Sequence, residues 1–371
     1  MNPKWKHIFA PALSLALLAG VVTGCSTTTD TPPSVSPSTP SVSQPAEEDT
    51  QPEIYSSYDN TEELLEMFPI INPTPVDTQM EKNIQNRLLN GFANYNLGYE
   101  AWEAWGDTLY TPDSLYNVHA VHMTLEEYQQ SQQLGLKAAD IQMGNFNNMI
   151  ICDDWCAIRY DITSTSYKTG ESNPGSVMEF VHFKDYGGDL GTRVVEGWAG
   201  TKGADFEAMT ALLTEEEQAQ QQAFFDEVVS TVIPDTDDLA EKYPVRNPTG
   251  IDDELGQKIK EAILQDFDAW NQGADAWTAW ADSYYDSGFI SHYSSGDMTL
   301  AEYKDYAAAQ TGTVTRLYFE NMLISGDWAA IHYRTVLTDL ATGEKTAGSV
   351  MQFLHFAQDG DSVRVTECWT K

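Results

Sequence analysis

Positive charge is what this 371-residue chain has least of. It has 20 lysines and arginines against 56 aspartates and glutamates, a formal net charge of −36 at neutral pH. Nucleic-acid binding rests on a cationic surface that displaces counterions from phosphate, so the chain is not expected to bind nucleic acid. Histidines number 7 and cysteines 4. His119, His122 and His292 fall at non-matching places of the repeat described below, and no Cys/His set has ligand spacing, so neither a metal nor a cofactor is expected. Long apolar runs are also missing. Ile8 to Val22 is interrupted by Pro11 and Ser14 and is shorter than the ~20 apolar residues a membrane span needs.

That run follows a basic start (Lys4, Lys6, His7) and ends in Val22-Thr23-Gly24-Cys25. The segment resembles the lipobox of bacterial lipoproteins. The resemblance implies removal of residues 1–24, a diacylglycerol on the Cys25 sulfur, and anchoring on the extracytoplasmic face of the cell membrane. Residues 25–58 are rich in Ser, Thr, Pro, Asp and Glu. Such a stretch buries too little apolar surface to offset its ordering entropy and reads as a flexible tether. The acidic charge beyond it keeps the protein soluble beside an anionic envelope and repels anionic ligands.

The rest of the chain is written twice. Tyr99-Glu-Ala-Trp-Glu-Ala-Trp-Gly-Asp107 returns as Ala274-Asp-Ala-Trp-Thr-Ala-Trp-Ala-Asp282, and Met123-Thr-Leu-Glu-Glu-Tyr128 as Met298-Thr-Leu-Ala-Glu-Tyr303, both 175 residues later. The offset is 173 at Trp155 and Trp328 and 171 at Trp198 and Trp369. Two copies of one domain follow, residues 59–203 and 237–371, each of ordinary domain size. Residues 204–236, with Thr214-Glu-Glu-Glu217 as a cap, read as a helical connector.

In each copy Ile84, Leu88, Phe92, Tyr95 and Tyr99, or Ile259, Ile263, Phe267, Trp270 and Ala274, form an apolar helical stripe. Gly98 and Gly273 end it, and a second helix carries the Trp-x-x-Trp pair. After a polar loop, Thr124-x-x-Glu127 and Thr299-x-x-Glu302 are capping boxes for a third helix. Alternating strands complete the copy: 147–151, 155–162, 176–183 and 194–198, with counterparts at 317–324, 328–336, 349–356 and 365–369. Helices followed by hairpins make each copy α+β, a curved antiparallel sheet with three helices on its concave face.

Three helices, a curved sheet, Trp-x-x-Trp-Ala-Asp and the Met-Thr-Leu-x-Glu-Tyr helix together resemble the SnoaL-like branch of the NTF2-like (cystatin-like) superfamily, across nearly all of 62–200 and 237–371. The resemblance implies two tandem cones, each with an internal pocket. The superfamily holds cyclases, dehydratases and isomerases as well as non-enzymatic binding modules, so the fold leaves function open.

Strand parity nominates the pocket wall. Met178, Phe180 and His182 share one face of their strand and Met351, Phe353 and His355 the matching one, while the other face carries Glu179 or Gln352. A Glu or Gln prefers water, so the Met-Phe-His face is expected inside the cone. Glu196 and Trp198, or Glu367 and Trp369, are expected to meet it from the last strand. His182 with Glu196, and His355 with Glu367, then form either an acid/base pair, with Tyr160 and Tyr333 as phenols, or a buried cluster that braces the sheet. Asp107 and Asp282 are further acid/base candidates or helix-end braces. Trp102, Trp105, Trp277 and Trp280 stack on a flat ligand or fill the core. Cys152 and Cys156 flank a hairpin turn and become a disulfide or buried thiols. The leading expectation is a small apolar or aromatic ligand, or an envelope partner, held by the cones. The alternatives are a cofactor-free cyclase, dehydratase or isomerase, and a scaffold with filled cores.

Overall fold

A computed structural model describes residues 54–118, 121–188, 191–201, 214–216, 218–219, 242–249, 251, 253–293, 296–310 and 312–371. The leader, Cys25, nearly all of the tether and most of the connector lie outside these residues. Among them no helix is long and apolar enough to cross a membrane.

The first half runs α1 (Thr61–Met67), β1 (Ile70–Pro73), α2 (Gln79–Asn96), α3 (Tyr99–Leu109), β2 (Tyr110–Val118), β3 (Val121–Thr124), α4 (Leu125–Ala138), β4 (Ala139–Cys152), β5 (Trp155–Ser166), β6 (Ser172–Asp185) and β7 (Thr192–Thr201). The second runs β8 (Val245–Thr249), α5 (Glu254–Asn271), α6 (Ala274–Tyr284), β9 (Tyr285–Tyr293), β10 (Gly296–Thr299), α7 (Leu300–Ala308), β11 (Gly312–Ser325), β12 (Trp328–Asp339), β13 (Lys345–Asp359) and β14 (Ser362–Thr370), the order of the first from β1 onward. Each half is α+β, with a seven-stranded sheet ordered β1-β4-β5-β6-β7-β2-β3 or β8-β11-β12-β13-β14-β9-β10.

Local chemistry sets the boundaries. Thr124 and Glu127, and Thr299 and Glu302, form the expected capping boxes, and Thr78 with Glu81 forms another. Gly98 and Gly273 join consecutive helices at φ 102° and 103°, with ψ near 180°, a conformation essentially closed to residues with a Cβ. Register shifts at Met143/Phe146, Phe146/Asn148 and His182/Phe183 bend the sheet as bulges do. The segment expected as a polar loop is a β2–β3 hairpin in the first half and β9–β10 in the second. Pro112 and Asp113 break the alternation that marks a strand, which hides β2 from a sequence reading. The hairpins are antiparallel, while β1 on β4 and β2 on β7 pair in parallel, as do their counterparts. Ahead of α1, Asn94 of α2 accepts from the Tyr55 amide at 2.8 Å and donates to its carbonyl at 2.7 Å, fastening residue 55 to the first half.

Three cores result. One lies between the first sheet and its helices, with Ile84, Phe92, Trp102, Phe146, Tyr160, Val177 and Val181. A second repeats it around Ile259, Phe267, Trp277, Phe319, Tyr333 and Leu354. The third joins the halves: Ile150, Trp155, Met178, Phe180 and Trp198 pack with Leu323, Trp328, Met351 and Phe353. The sheets therefore stand back to back, helices outward. The contact is self-complementary. Phe180 meets its own counterpart Phe353 with ring centroids 6.4 Å apart. The Arg159 guanidinium covers Trp369 at 4.1 Å, and His332, the counterpart of Arg159, lies 5.9 Å from Trp198. Lys371 Nζ donates to the Ser176 carbonyl at 2.9 Å and hydroxyl at 2.7 Å.

Candidate functional site

The joining core reverses the expected faces of β6 and β13. Met178 and Phe180, like Met351 and Phe353, lie between the halves, outside the cones, with Trp198, Trp328 and Trp369. Both faces of each sheet are buried, so a row of apolar side chains no longer marks the cone interior. Glu179, with Val177 and Val181, is what faces into the first cone.

His182 and His355 stay on the outer face at the hairpin ends. His182 stacks on Trp155 at 4.4 Å and bonds Asp154 at 3.1 Å; His355 stacks on Trp328 at 4.4 Å and bonds Asp327 at 3.2 Å. The His–Glu meeting across strands does occur in the second half, His355 to Glu367 at 3.6 Å, but outside the cone. His292 joins it there, 3.6 Å from Glu367, stacked on Trp369 at 4.5 Å and bonded to Asp297 at 2.8 Å. Glu196 is half-buried on the same side of the first half, its carboxyl pushed up by burial and by Glu320 of the other half. Asp107 and Asp282 are exposed; Asp282 pairs with Lys304 at 2.5 Å, and the Asp107 backbone carbonyl accepts from Arg193 at 3.0 Å. Trp102, Trp105 and Trp277 are buried in the cores, while Trp280 is half-buried and stacks on Tyr284 at 4.7 Å.

Cys156 lies in the first cone and Cys152 in the joining core, on opposite faces of the sheet, so no disulfide joins the two. Cys152 stands opposite Trp155 and Cys156 opposite Ile151, one register step apart. Among the described residues no group of three or more His, Cys, Asp or Glu side chains is placed to hold a metal ion.

The first cone gathers its polar chemistry at Glu179. The Tyr116 hydroxyl donates to one carboxylate oxygen and the Tyr160 hydroxyl to the other. Tyr128 stacks on Tyr116 at 4.0 Å, and Tyr110 meets both edge-on at 6.3 and 6.2 Å. Tyr95 completes the aromatic wall, meeting Trp102 edge-on. Burial pushes the Glu179 carboxyl above the usual range, and the two phenol donors pull the other way. Burial and the Glu179 charge hold the Tyr116 and Tyr160 phenols far above their ordinary value, so both remain neutral donors. Among the described residues no lysine, arginine or histidine pairs with Glu179. Although set among these buried rings, Glu179 as a residue keeps partial exposure.

A glycine makes this possible. Gly197 of β7 lies opposite Tyr116, and a Cβ there would come within 2.8 Å of ring atom Cδ2 of Tyr116. The counterparts of Tyr116, Gly197 and Glu179 are Ser291, Cys368 and Gln352, and Ser291 pairs with Cys368. The second cone holds another arrangement. Arg316 Nη1 bonds the Asp266 carboxylate at 2.5 Å, and the same carboxylate accepts from Trp277 Nε1 at 3.0 Å. The guanidinium lies 4.5 Å from the Trp270 ring, 4.8 Å from Phe267 and 5.5 Å from Tyr333. Both charged residues are over nine-tenths buried. The signal that marks the first cone is therefore a set of differences between the copies, at 116/291, 179/352 and 197/368, and a search for what the copies share passes over it.

No family model matches the chain, and no curated protein matches it. Among solved structures it is similar to a SnoaL-like polyketide cyclase from Agrobacterium tumefaciens (13% identity, TM-score 0.26, covering 30% of this chain and 89% of that one). It is also similar to a ketosteroid isomerase-like protein from Erwinia carotovora (14%, 0.25, 32% and 92%), and to TsrD from Streptomyces laurentii (10%, 0.28, 38% and 100%). Each covers between 30% and 38% of this chain. By the order of its helices and strands, each half of this chain is an α+β cone.

Proposed function

We propose that the protein is a lipid-anchored, extracytoplasmic binding protein whose first cone holds a small ligand and whose second cone is a filled support. One observation carries this reading: Glu179, a partly exposed residue, is held between Tyr116 and Tyr160 in an aromatic interior with no counter-charge among the described residues, whereas the second cone neutralises its own carboxylate with Arg316. Buried carboxylates are normally matched by a cation from within, and one held only by neutral donors marks a ligand position. The back-to-back sheets hold the two cones as one body. The Cys25 lipid and the tether place that body at the membrane surface.

The test is to purify the full-length lipoprotein from its native membrane and identify co-extracted small molecules by mass spectrometry. A molecule present with wild type and with Gln352→Ala, and lost with Glu179→Gln, supports the reading. Molecules unaffected by Glu179→Gln would overturn it.

A second reading, cofactor-free proton transfer on a cyclic substrate, is favoured by the raised carboxyl of Glu179 beside two neutral phenol donors. Exchange of the α-protons of cyclic ketones in D2O, followed by NMR, decides it. Equal exchange with wild type and Glu179→Gln excludes Glu179 as the base.

A further inference from the structure

The second cone contains a built example of what the first one lacks. Its Arg316 guanidinium sits against Trp270, Phe267 and Tyr333 with Asp266 as its carboxylate. The three rings have aromatic counterparts in the first cone, Tyr95, Phe92 and Tyr160, all buried there. Arg316 corresponds to Met143, which stands opposite Ile162 as Arg316 stands opposite Thr335. Asp266 corresponds to Gly91, over which the Trp105 ring lies; a Cβ at Gly91 would meet it at 2.6 Å. The first cone thus lacks counterparts of that cation and of its carboxylate, and keeps the rings; its own buried cation, Arg87, lies over Trp105 and donates to Thr108 instead. In their place it carries a different carboxylate, Glu179, on the sheet side of the same interior.

Resting on the ligand-site reading above, we propose that the first cone binds a compact organic cation, an alkylammonium or guanidinium group, with the Glu179 carboxylate facing its charge and the faces of Tyr95, Tyr110, Tyr128 and Tyr160 covering its carbon. The physical chemistry is that of aromatic cages. Ring faces carry negative quadrupole potential, which attracts a weakly hydrated cation, and a buried carboxylate without a counter-charge gains most from one. Tyr116 and Tyr160 orient the carboxylate by holding one oxygen each, leaving remaining lone pairs for the ligand. An anion is disfavoured twice, by Glu179 and by a chain with net charge −36. A neutral aromatic ligand would fill the space but leave the carboxylate without a counter-charge.

The experiment compares choline with its neutral isostere 3,3-dimethylbutan-1-ol, and phenol and indole as neutral aromatics, by calorimetry and tyrosine fluorescence on the folded lipoprotein. Wild type is expected to bind choline at least ~100-fold more tightly than the isostere, the scale of a desolvated charge contact together with ring contacts. Glu179→Gln is expected to erase that preference while its circular dichroism stays that of wild type. Tyr160→Phe, which keeps the ring face and removes one oxygen anchor, is expected to retain a reduced preference. Equal binding of choline and isostere, or binding of phenol or indole without choline, overturns the cation while leaving the site. If none of the four probes binds, both the cation and the ligand-site reading fall.

Discussion

The two halves share a backbone plan and differ in what they place at its centre. In the second, Asp266 and Arg316 neutralise each other among Trp270, Trp277 and Tyr333, and Gln352 supplies a neutral amide whose Nε2 donates to Thr370 at 3.2 Å. In the first, Gly91 and Met143 replace that pair, and Glu179 stands where Gln352 does, reached by Tyr116 over Gly197. A duplicated fold has kept its plan and changed interior residues, among them those at 91, 116, 143, 179 and 197. Those changes turn a self-satisfied core into one with an unmatched charge.

The largest effect that breaks this comparison should come from Arg316→Met, which gives the second cone the first cone's residue while leaving Asp266 buried. Removing one member of a buried pair costs about 3–5 kcal/mol, so urea unfolding should lose about that much stability, and Asp266→Gly added to it should restore part. An unchanged midpoint for the single variant would mean that the pair contributes nothing to the second half. Next is Gly197→Cys, the reverse exchange. The new side chain meets the Tyr116 ring, so overpacking of about 1–3 kcal/mol is expected, with displacement of Tyr116 from Glu179. Adding Tyr116→Ser, as in the second half, should recover part of the stability but not the ligand; thermal melts of the three proteins check this.

The smallest effect should be Glu179→Gln, and its sign is opposite. Because the folded carboxyl is raised, ionised Glu179 destabilises the fold above the unfolded carboxyl range, near pH ~4.3, increasingly as pH climbs through the raised value. The variant should therefore melt higher than wild type at pH ~7, and the difference should shrink on acidification as wild type protonates. A lower melting temperature at neutral pH would show that the two phenol hydrogen bonds outweigh the desolvation.

The repeat, the capped helices and the run of four hairpin-connected strands in each half are legible in the sequence because these are local; β1 to β3 and the parallel pairings are not. Thr124 and Glu127 close a capping box within four residues, and alternation along β5 and β12 needs only the strand itself. Parity along β6 correctly separates Met178, Phe180 and His182 from Val177, Glu179 and Val181. It does not say which set faces the helices. The usual clue, that the polar side faces water, fails because neither side does: one face meets α2 to α4 and the other meets the second half. His182 reads as interior through its neighbours Met178 and Phe180, whose apolarity belongs to the joining core. Of the nominated phenols, Tyr160 lies in the first interior, donating to Glu179, and Tyr333 in the second.

The sequence alone determined that there are two α+β units, because periodicity, caps and turn glycines act over a few residues and are written in both copies. Only the tertiary structure decided where the site is. The burial of a strand face depends on what lies beyond it, and what lies beyond β6 is the sheet of the other copy, distant along the chain. That contact turned a shared apolar face into an interface and left Glu179 as the carboxylate at the centre of the first cone.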